Sequence, residues 1–158
     1  MRFAVTVAAL VLLTISGCGF HLRGNMDIPM RYQQLRLNAN PNSDFTKALI
    51  DQLQANDIRI VEQAPINVTI TDDDVEVRTV SYSSRSKSAE KEIVRRVEFL
   101  VEDRQNKELI VPRSEIQARR AYLYDDTKVA AMQEQEALIR EELAFDLATR
   151  LMLKLQKH

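Results

Sequence analysis

Cysteine, histidine and tryptophan are scarce in this chain of 158 residues. Cys18 is the one cysteine, which excludes a disulfide within the chain and a metal site built from several thiolates. The two histidines, His21 and His158, are expected at the extreme ends of the mature chain that remains after signal removal, so we do not expect either to act as a catalytic base held in a cleft. GxSxG, HExxH and phosphate-cradling glycine-rich motifs are also missing. We therefore expect neither an enzyme nor a metalloprotein.

Glycine is also scarce, and the net charge is close to zero. All three glycines lie at positions 17, 19 and 24, so every later turn must use Asn, Asp, Ser or Pro. The chain has 22 Lys and Arg against 23 Asp and Glu, a formal net charge of −1. A nucleic-acid-binding domain would carry a net basic surface, so this class of function is excluded.

The N-terminal segment has the pattern of a secretory signal. Met1-Arg2 precedes an apolar run over residues 3–15, which is shorter than the roughly 20 helical residues that a bilayer requires. The "ISGC" that follows resembles a bacterial lipobox, although a secretory signal that happens to contain a cysteine is the alternative. We predict a lipoprotein signal peptide over residues 1–17 and an acylated Cys18 that anchors the protein to a membrane. These acyl chains are the only attached group that we expect.

The remaining chain divides into a tether, residues 18–34, and a single α+β domain, residues 35–158. Leu35 and Leu37 alternate with polar residues as in a short strand. Ser43 is a candidate N-cap for a helix that ends near Ala55, and a second short strand is expected over residues 58–62.

Three longer strands are predicted next, over residues 66–79, 92–103 and 108–124. Pro112 cannot donate to a strand ladder, so it should lie at a strand end, an edge or a bulge. A long helix over about 127–156 is the strongest prediction, with apolar residues on one side: Ala137, Ala144, Ala148, Leu151, Met152 and Leu155. The fold predicted is a two-layer α+β sandwich, with two helices on one face of a mostly antiparallel sheet of about four strands.

Two polar stretches leave alternatives open. Asp72, Asp73 and Asp74 could bind a hard cation, but they lack the spacing of a calcium loop, and a solvated bend within a strand is the favoured interpretation. In "RRAYLYDD" (119–126), Tyr122 and Tyr124 share one strand face. We interpret them as core aromatics, followed by a helix cap within residues 125–127.

Basic residues suggest a binding surface. Arginine recognises phosphate and carboxylate groups in a bidentate manner, and lysine contacts them as a point charge. Arg85 and Lys87 lie in a serine-rich hairpin tip, and the strands carry Arg78, Arg95, Arg96, Arg113, Arg119 and Arg120. The alternative is a solvated face on which these arginines pair with Glu98, Glu102 or Glu115.

Several motifs together resemble one protein family. "CGFHLRG" from Cys18, "LIVP" ending at Pro112, "RRAYLYDD", "VAAMQEQE" (129–136) and "LIREELAFDLATRLMLKL" (138–155) are similar in order and spacing to the LPS-assembly lipoprotein family LptE. The chain departs from the family pattern by lacking the glycines usual in its two hairpin turns, here around residues 84–88 and at Asn106. Lys91 also replaces an aromatic residue that, in the family, often follows the pair found here as Ala89-Glu90.

The resemblance implies an outer-membrane lipoprotein that plugs LptD, the large β-barrel of the lipopolysaccharide translocon. Such a protein would help the barrel to fold and would bind lipopolysaccharide during its delivery to the outer leaflet. Arg78, Arg85 and Lys87 are then the candidate lipopolysaccharide-binding residues, with no catalytic and no metal-binding residue. The alternatives are a generic envelope adaptor that binds another periplasmic or outer-membrane protein, and, less favoured, a periplasm-facing hydrolase or metal-dependent enzyme.

Overall fold

The computed structural model of the protein describes Met26, residues 28–82 and residues 88–158. A short 3₁₀ turn, Met30–Tyr32, precedes the regular elements. In chain order these are β1 (Gln34–Asn38), α1 (Asp44–Ala55), β2 (Arg59–Ile60), β3 (Ile66–Tyr82), β4 (Ser88–Asp103), β5 (Glu108–Asp125) and α2 (Val129–Gln156).

The described strands form one mixed sheet in the order β2-β1-β3-β4-β5. β1 runs parallel to both β2 and β3, whereas the long ladders β3–β4 and β4–β5 are antiparallel. The predicted α+β sandwich is confirmed. The sheet has five strands rather than about four, because both short strands, β1 and β2, pair in the same sheet as the three long ones.

Both helices cover the same face of this sheet. Side chains alternate between the faces along a strand, and the fully buried residues of β4 that share one face include Ile93, Val97 and Phe99. Leu49 and Leu53 of α1 belong to the same core. Ser43 caps α1 as predicted, since its hydroxyl accepts hydrogen bonds from the backbone N–H groups of the first turn. The helix then ends close to the expected residue.

The apolar stripe of α2 begins later than the sequence indicated. Ala137 is exposed, and the buried side begins at Ile139 and continues through Leu143, Ala144, Leu147, Ala148, Leu151, Met152 and Leu155. The predicted cap within residues 125–127 is wrong. Lys128 occupies the N-cap position without a side-chain hydrogen bond. Asp125 instead accepts hydrogen bonds from the N–H and hydroxyl groups of Thr127, which closes the turn after β5.

Two irregularities occur where the sequence placed them. The β3–β4 register shifts between Ile70 and Asp72, so a bulge lies at the start of the aspartate run, where a bend was expected. Pro112 lies on the edge strand β5, next to a register shift in its pairing with β4. Tyr32, within the segment expected to be a tether, is fully buried in the core.

Candidate functional site

The sheet face opposite the helices is an array of charged side chains, here called the open face. It carries the residues of β4 that alternate with the core positions, together with their neighbours on β3 and β5. Five ion pairs lie here: Arg78–Glu76 (2.7 Å), Arg96–Glu76 (2.8 Å), Arg96–Asp74 (3.7 Å), Arg113–Glu98 (3.3 Å) and Arg119–Glu92 (3.8 Å). Most of its arginine charge is therefore matched by carboxylates of the same face.

Arg78 is the one candidate lipid-binding residue whose environment can be described. Its guanidinium donates to Glu76 Oε2 at 2.7 Å, while 45% of the side chain remains exposed. This hydrogen bond lowers the pKa of Glu76 and raises the pKa of Arg78. Arg85 and Lys87, the other two candidates, lie outside the described residues. Arg78 is thus held by a carboxylate but still faces solvent.

Cross-strand ion pairs on the open face hold three of the other strand arginines: Arg96, Arg113 and Arg119. Glu98 pairs with Arg113, as the alternative of a solvated face expected. Glu102 differs, because it accepts a hydrogen bond from the side-chain amide of Asn67 at 3.4 Å. Arg120 lies on the helix side of the sheet and reaches Glu142 of α2 at 3.6 Å. Exposed pairs of this kind contribute little to stability, about 0–1 kcal/mol each.

A buried polar cluster on the helix side was missed by the sequence reasoning. Arg95 has only 4% of its side chain exposed, and its Nε and Nη2 donate to the two carboxylate oxygens of Asp73 at 2.9 Å each. Nη2 also donates to the Ser43 hydroxyl at 3.1 Å, and this hydroxyl donates in turn to Asp73. The N-cap of α1 is therefore tied to β3 and β4 by a shared ion pair.

This cluster corrects the favoured interpretation of a solvated bend at one of the three aspartates, Asp73, whereas Asp72 and Asp74 are exposed as expected. Asp73 is 14% exposed, since its side chain points towards the helices and meets Arg95. Strand parity was the signal that could have revealed it. Asp73 occupies the same face as Val75 and Val77, and Arg95 the same face as Ile93. Within the described ranges, no group of three or more His, Cys, Asp or Glu side chains could hold a metal ion.

The tyrosines of β5 behave as expected for core aromatics. Tyr122 is 6% exposed and its hydroxyl donates to Glu136 of α2. Burial and this carboxylate both raise the pKa of Tyr122. Tyr124 is partly buried, and the Lys91 ammonium lies 3.3 Å from the centre of its ring. The lysine at the position where the family often has an aromatic residue thus packs on an aromatic ring.

Comparisons of sequence match the chain to one family. A family model named LptE, with the description lipopolysaccharide-assembly, matches residues 32–155. A protein named LPS-assembly lipoprotein LptE from Photorhabdus laumondii is 24% identical, over 98% of this chain and 85% of its own length. A protein of the same name from Yersinia enterocolitica is 27% identical over 98% of this chain and 75% of its length.

Solved structures share the fold. A minor lipoprotein from Acinetobacter baumannii aligns with a TM-score of 0.68 at 21% identity, over 82% of this chain and 94% of its own. The rare lipoprotein B from Shewanella oneidensis aligns with a TM-score of 0.63 at 30% identity, over 77% and 91%. The α+β sandwich is thus a fold already seen in bacterial lipoproteins.

Proposed function

Because the chain belongs to the LptE family of lipopolysaccharide-assembly lipoproteins, we propose that it plugs the β-barrel LptD of an outer-membrane lipopolysaccharide translocon. In this role it supports the folding of the barrel and binds lipopolysaccharide on its way to the outer leaflet. The observation that carries the proposal is the family match, which extends over residues 32–155 and so includes both helices and the whole sheet.

The open face of the sheet supports the plug role. Its paired carboxylates and arginines remain solvated and satisfied without a partner, as a surface that faces a water-filled lumen requires. In the part of the chain that the structure describes, no helix is long and apolar enough to cross a membrane. Attachment to the outer membrane would come from the acyl chains on Cys18, for which two or more chains give stable binding.

Lipopolysaccharide carries phosphate groups, the ligands that arginine and lysine side chains recognise. Arg78, Arg85 and Lys87 are the residues that we propose for this contact. Arg78 is half exposed near the β3–β4 hairpin, so a phosphate can approach it, in competition with Glu76. The protein would act by binding and positioning lipid rather than by chemical turnover.

An affinity experiment tests the partner. The tagged, acylated protein is purified from detergent-solubilised outer membranes, and the co-purifying proteins are identified by mass. The proposal predicts one large β-barrel in stoichiometric amount. A set of assorted periplasmic proteins, or the lipoprotein alone, would contradict the plug role and favour a general envelope adaptor.

A further inference from the structure

We propose that one end of the domain docks on the surface of the bilayer in which Cys18 is anchored. This end, here called the tether end, consists of Met30, Arg31, Arg59, the turn 104–107 and the C-terminal ends of α1 and α2. Its partner is a phospholipid bilayer with negatively charged headgroups. The inference rests on the acylated anchor of the proposed function and adds which part of the folded domain meets the lipid.

Backbone contacts bring the strand starts and their connections to this end. The Arg59 N–H donates to the Gln33 carbonyl at 2.9 Å, just before β1. The Arg104 N–H donates to the Pro65 carbonyl at 2.8 Å, just before β3. Because β1 and β3 are parallel, both begin at the same end of the sheet, and the 3₁₀ turn leads directly into β1.

Both helices also end here. They run in the same direction, because Asp44 at the start of α1 lines a groove with Leu138 of α2, whereas Gln52 near the end of α1 donates to the Thr149 hydroxyl at 3.0 Å. Three residues separate α1 from β2. The C-terminal ends of the two helices therefore lie beside the strand starts.

Met26 fixes where the tether joins the domain. Its N–H donates to Asn56 Oδ1, directly after α1, at 2.8 Å, and its carbonyl accepts from the Ile28 N–H at 2.9 Å. Eight residues along the chain separate Cys18 from Met26. Since an extended chain spans at most about 3.6 Å per residue, an acylated Cys18 keeps Met26 within about 29 Å of the bilayer surface.

The other end of the domain is far from this anchor. β3 begins at the tether end and continues for 17 residues, about 55 Å of extended strand. Arg78, proposed above for lipopolysaccharide, lies in the last third of β3. The membrane contact and the lipopolysaccharide contact therefore belong to opposite ends of the domain.

Unpaired positive charge is concentrated at the tether end. Six exposed basic side chains here form no ion pair with another described residue: Arg31, Arg59, Arg104, Lys107, Lys154 and Lys157. Elsewhere in the described ranges only Lys91 and Arg140 lack such a pair. The open face differs, because each of its described arginines has a carboxylate partner.

The carboxylates near the tether end do not cancel this charge. Four of them have no ion pair with a described residue: Asp57, Glu102, Asp103 and Glu108. Glu102 and Asp103 already accept hydrogen bonds within the domain, from Asn67 and Asn106. The unpaired charge of this end is therefore net positive, and two copies of it would repel each other.

Met30 adds an apolar contact beside these cations. It is 79% exposed, the largest exposed fraction among the large apolar side chains that the structure describes. An apolar side chain can enter the headgroup layer while the neighbouring Arg31 contacts a phosphate. Each basic residue near an anionic bilayer strengthens attachment about fivefold. A short tether, an apolar side chain and six unpaired cations thus favour a lipid surface.

A fluorescent probe at position 30 tests the docking. Acylated protein with Met30→Cys is labelled at its one free thiol and reconstituted into vesicles whose headgroups carry a nitroxide quencher. Quenching should be strong with phosphatidylglycerol present. It should fall in phosphatidylcholine alone and at about 1 M salt, where the screening length is about 3 Å. Leu123→Cys is the matched control, 71% exposed near the far end of β5, and should show little quenching.

Charge reversal tests the cations. Arg104→Glu with Lys107→Glu should reduce the quenching at position 30 in anionic vesicles severalfold, since each cation strengthens attachment about fivefold. Lys154→Glu with Lys157→Glu, at the end of α2, should act in the same direction. The same charge change on the open face, Arg113→Glu with Arg119→Glu, should leave quenching unchanged.

Equal quenching at positions 30 and 123 would overturn the inference, as would quenching at position 30 that lipid charge and salt do not affect. The domain would then be tethered without docking. Loss of lipopolysaccharide binding in the Arg104/Lys107 variant would also contradict it, because these cations would then serve that lipid. The vesicles contain no barrel, so these results do not depend on the plug role. If mass measurement finds no acyl group on Cys18, the proposed anchor fails, and the docking fails with it.

Discussion

At the residue scale, we expect the buried contact between Asp73, Arg95 and Ser43 to stabilise the domain more than any exposed ion pair does. Removing one partner of a buried ion pair leaves an uncompensated charge, which costs about 3–5 kcal/mol. Exposed pairs contribute about 0–1 kcal/mol. Two adjacent aspartates of β3 illustrate a buried and an exposed ion pair. The Asp73 side chain is 14% exposed, whereas the Asp74 side chain is 54% exposed.

We predict that Asp73→Ala lowers the free energy of unfolding by about 3–5 kcal/mol, because Arg95 then remains buried and unpaired. Asp74→Ala should lower it by about 1 kcal/mol or less, because Arg96 keeps its bond to Glu76 at 2.8 Å. Urea unfolding followed by circular dichroism measures both. Equal losses in the two variants would show that the Asp73–Arg95 pair has no special role.

The Asp103 carboxylate predicts how the stability of the protein changes at acidic pH. Its carboxylate accepts hydrogen bonds from the backbone and side chain of Asn106 and from the backbone of Gln105, and these lower its pKa below the ordinary 3.8. A carboxylate whose pKa is lower in the folded than in the unfolded protein stabilises the folded state at pH values above its unfolded-state pKa. This stabilisation is lost as the pH falls through the folded-state pKa.

Unfolding midpoints measured at a series of pH values should therefore fall below about pH 4 in the wild-type protein. In Asp103→Asn the decline should be shallower, since this carboxylate no longer takes up a proton on unfolding. An identical pH profile in the two proteins would contradict the role given to the turn.

At the scale of the elements, most of the fold could be predicted because periodicity and caps are local signals. The three long strands and both helices follow from alternation, from the 3.6-residue repeat and from the Ser43 cap. β2 was harder to delimit, since only two of its expected residues pair with β1, and pairing depends on a neighbour distant in sequence. The Asp73–Arg95 contact has the same origin, as it joins β3 to β4 and depends on the register between these two strands.

Because no glycine follows residue 24, residues with side chains adopt positive φ angles in the turns. Asp57 and Lys107 adopt the left-handed backbone region, with φ of 59° and 53°. For a residue with a side chain, this conformation costs roughly 1–2 kcal/mol, and glycine avoids it. The sequence placed the unusual turn residue at Asn106, but the strained position is the next one along.

Lys107→Gly should raise the free energy of unfolding by up to about 1 kcal/mol, because the strain disappears while glycine adds some freedom to the unfolded chain. Gln105→Gly, in the same turn but without a positive φ, should bring no gain. Chemical denaturation of the two variants provides the comparison. Destabilisation by Lys107→Gly would mean that its side chain, not its backbone, governs the turn.

At the scale of the whole molecule, the candidate lipid site is the part that remains a prediction. Family membership and the sandwich fold follow from the sequence because motifs extend along most of the chain. The environment of Arg78 does not follow from the sequence, since its ion pair with Glu76 depends on the side-chain arrangement of the open face. The faces that a partner covers are equally invisible in a sequence pattern.

Charge reversal of Arg85 and Lys87 to glutamate should weaken binding of purified lipopolysaccharide by about tenfold, because two phosphate contacts are replaced by repulsion. The circular dichroism spectrum should not change. Arg113→Glu with Arg119→Glu, on the open face, is the control of equal charge change. Unchanged binding in the Arg85/Lys87 variant would remove the hairpin from the proposed site.

The most direct test of the central claim is a depletion experiment in the bacterium that makes this protein. The measured quantity is newly synthesised lipopolysaccharide that reaches the cell surface, together with the amount of folded LptD barrel. If the protein is the plug and assembly partner, both should fall as it is depleted, and the wild-type chain should restore them. Surface lipopolysaccharide and folded barrel that persist at normal levels without the protein would contradict the account.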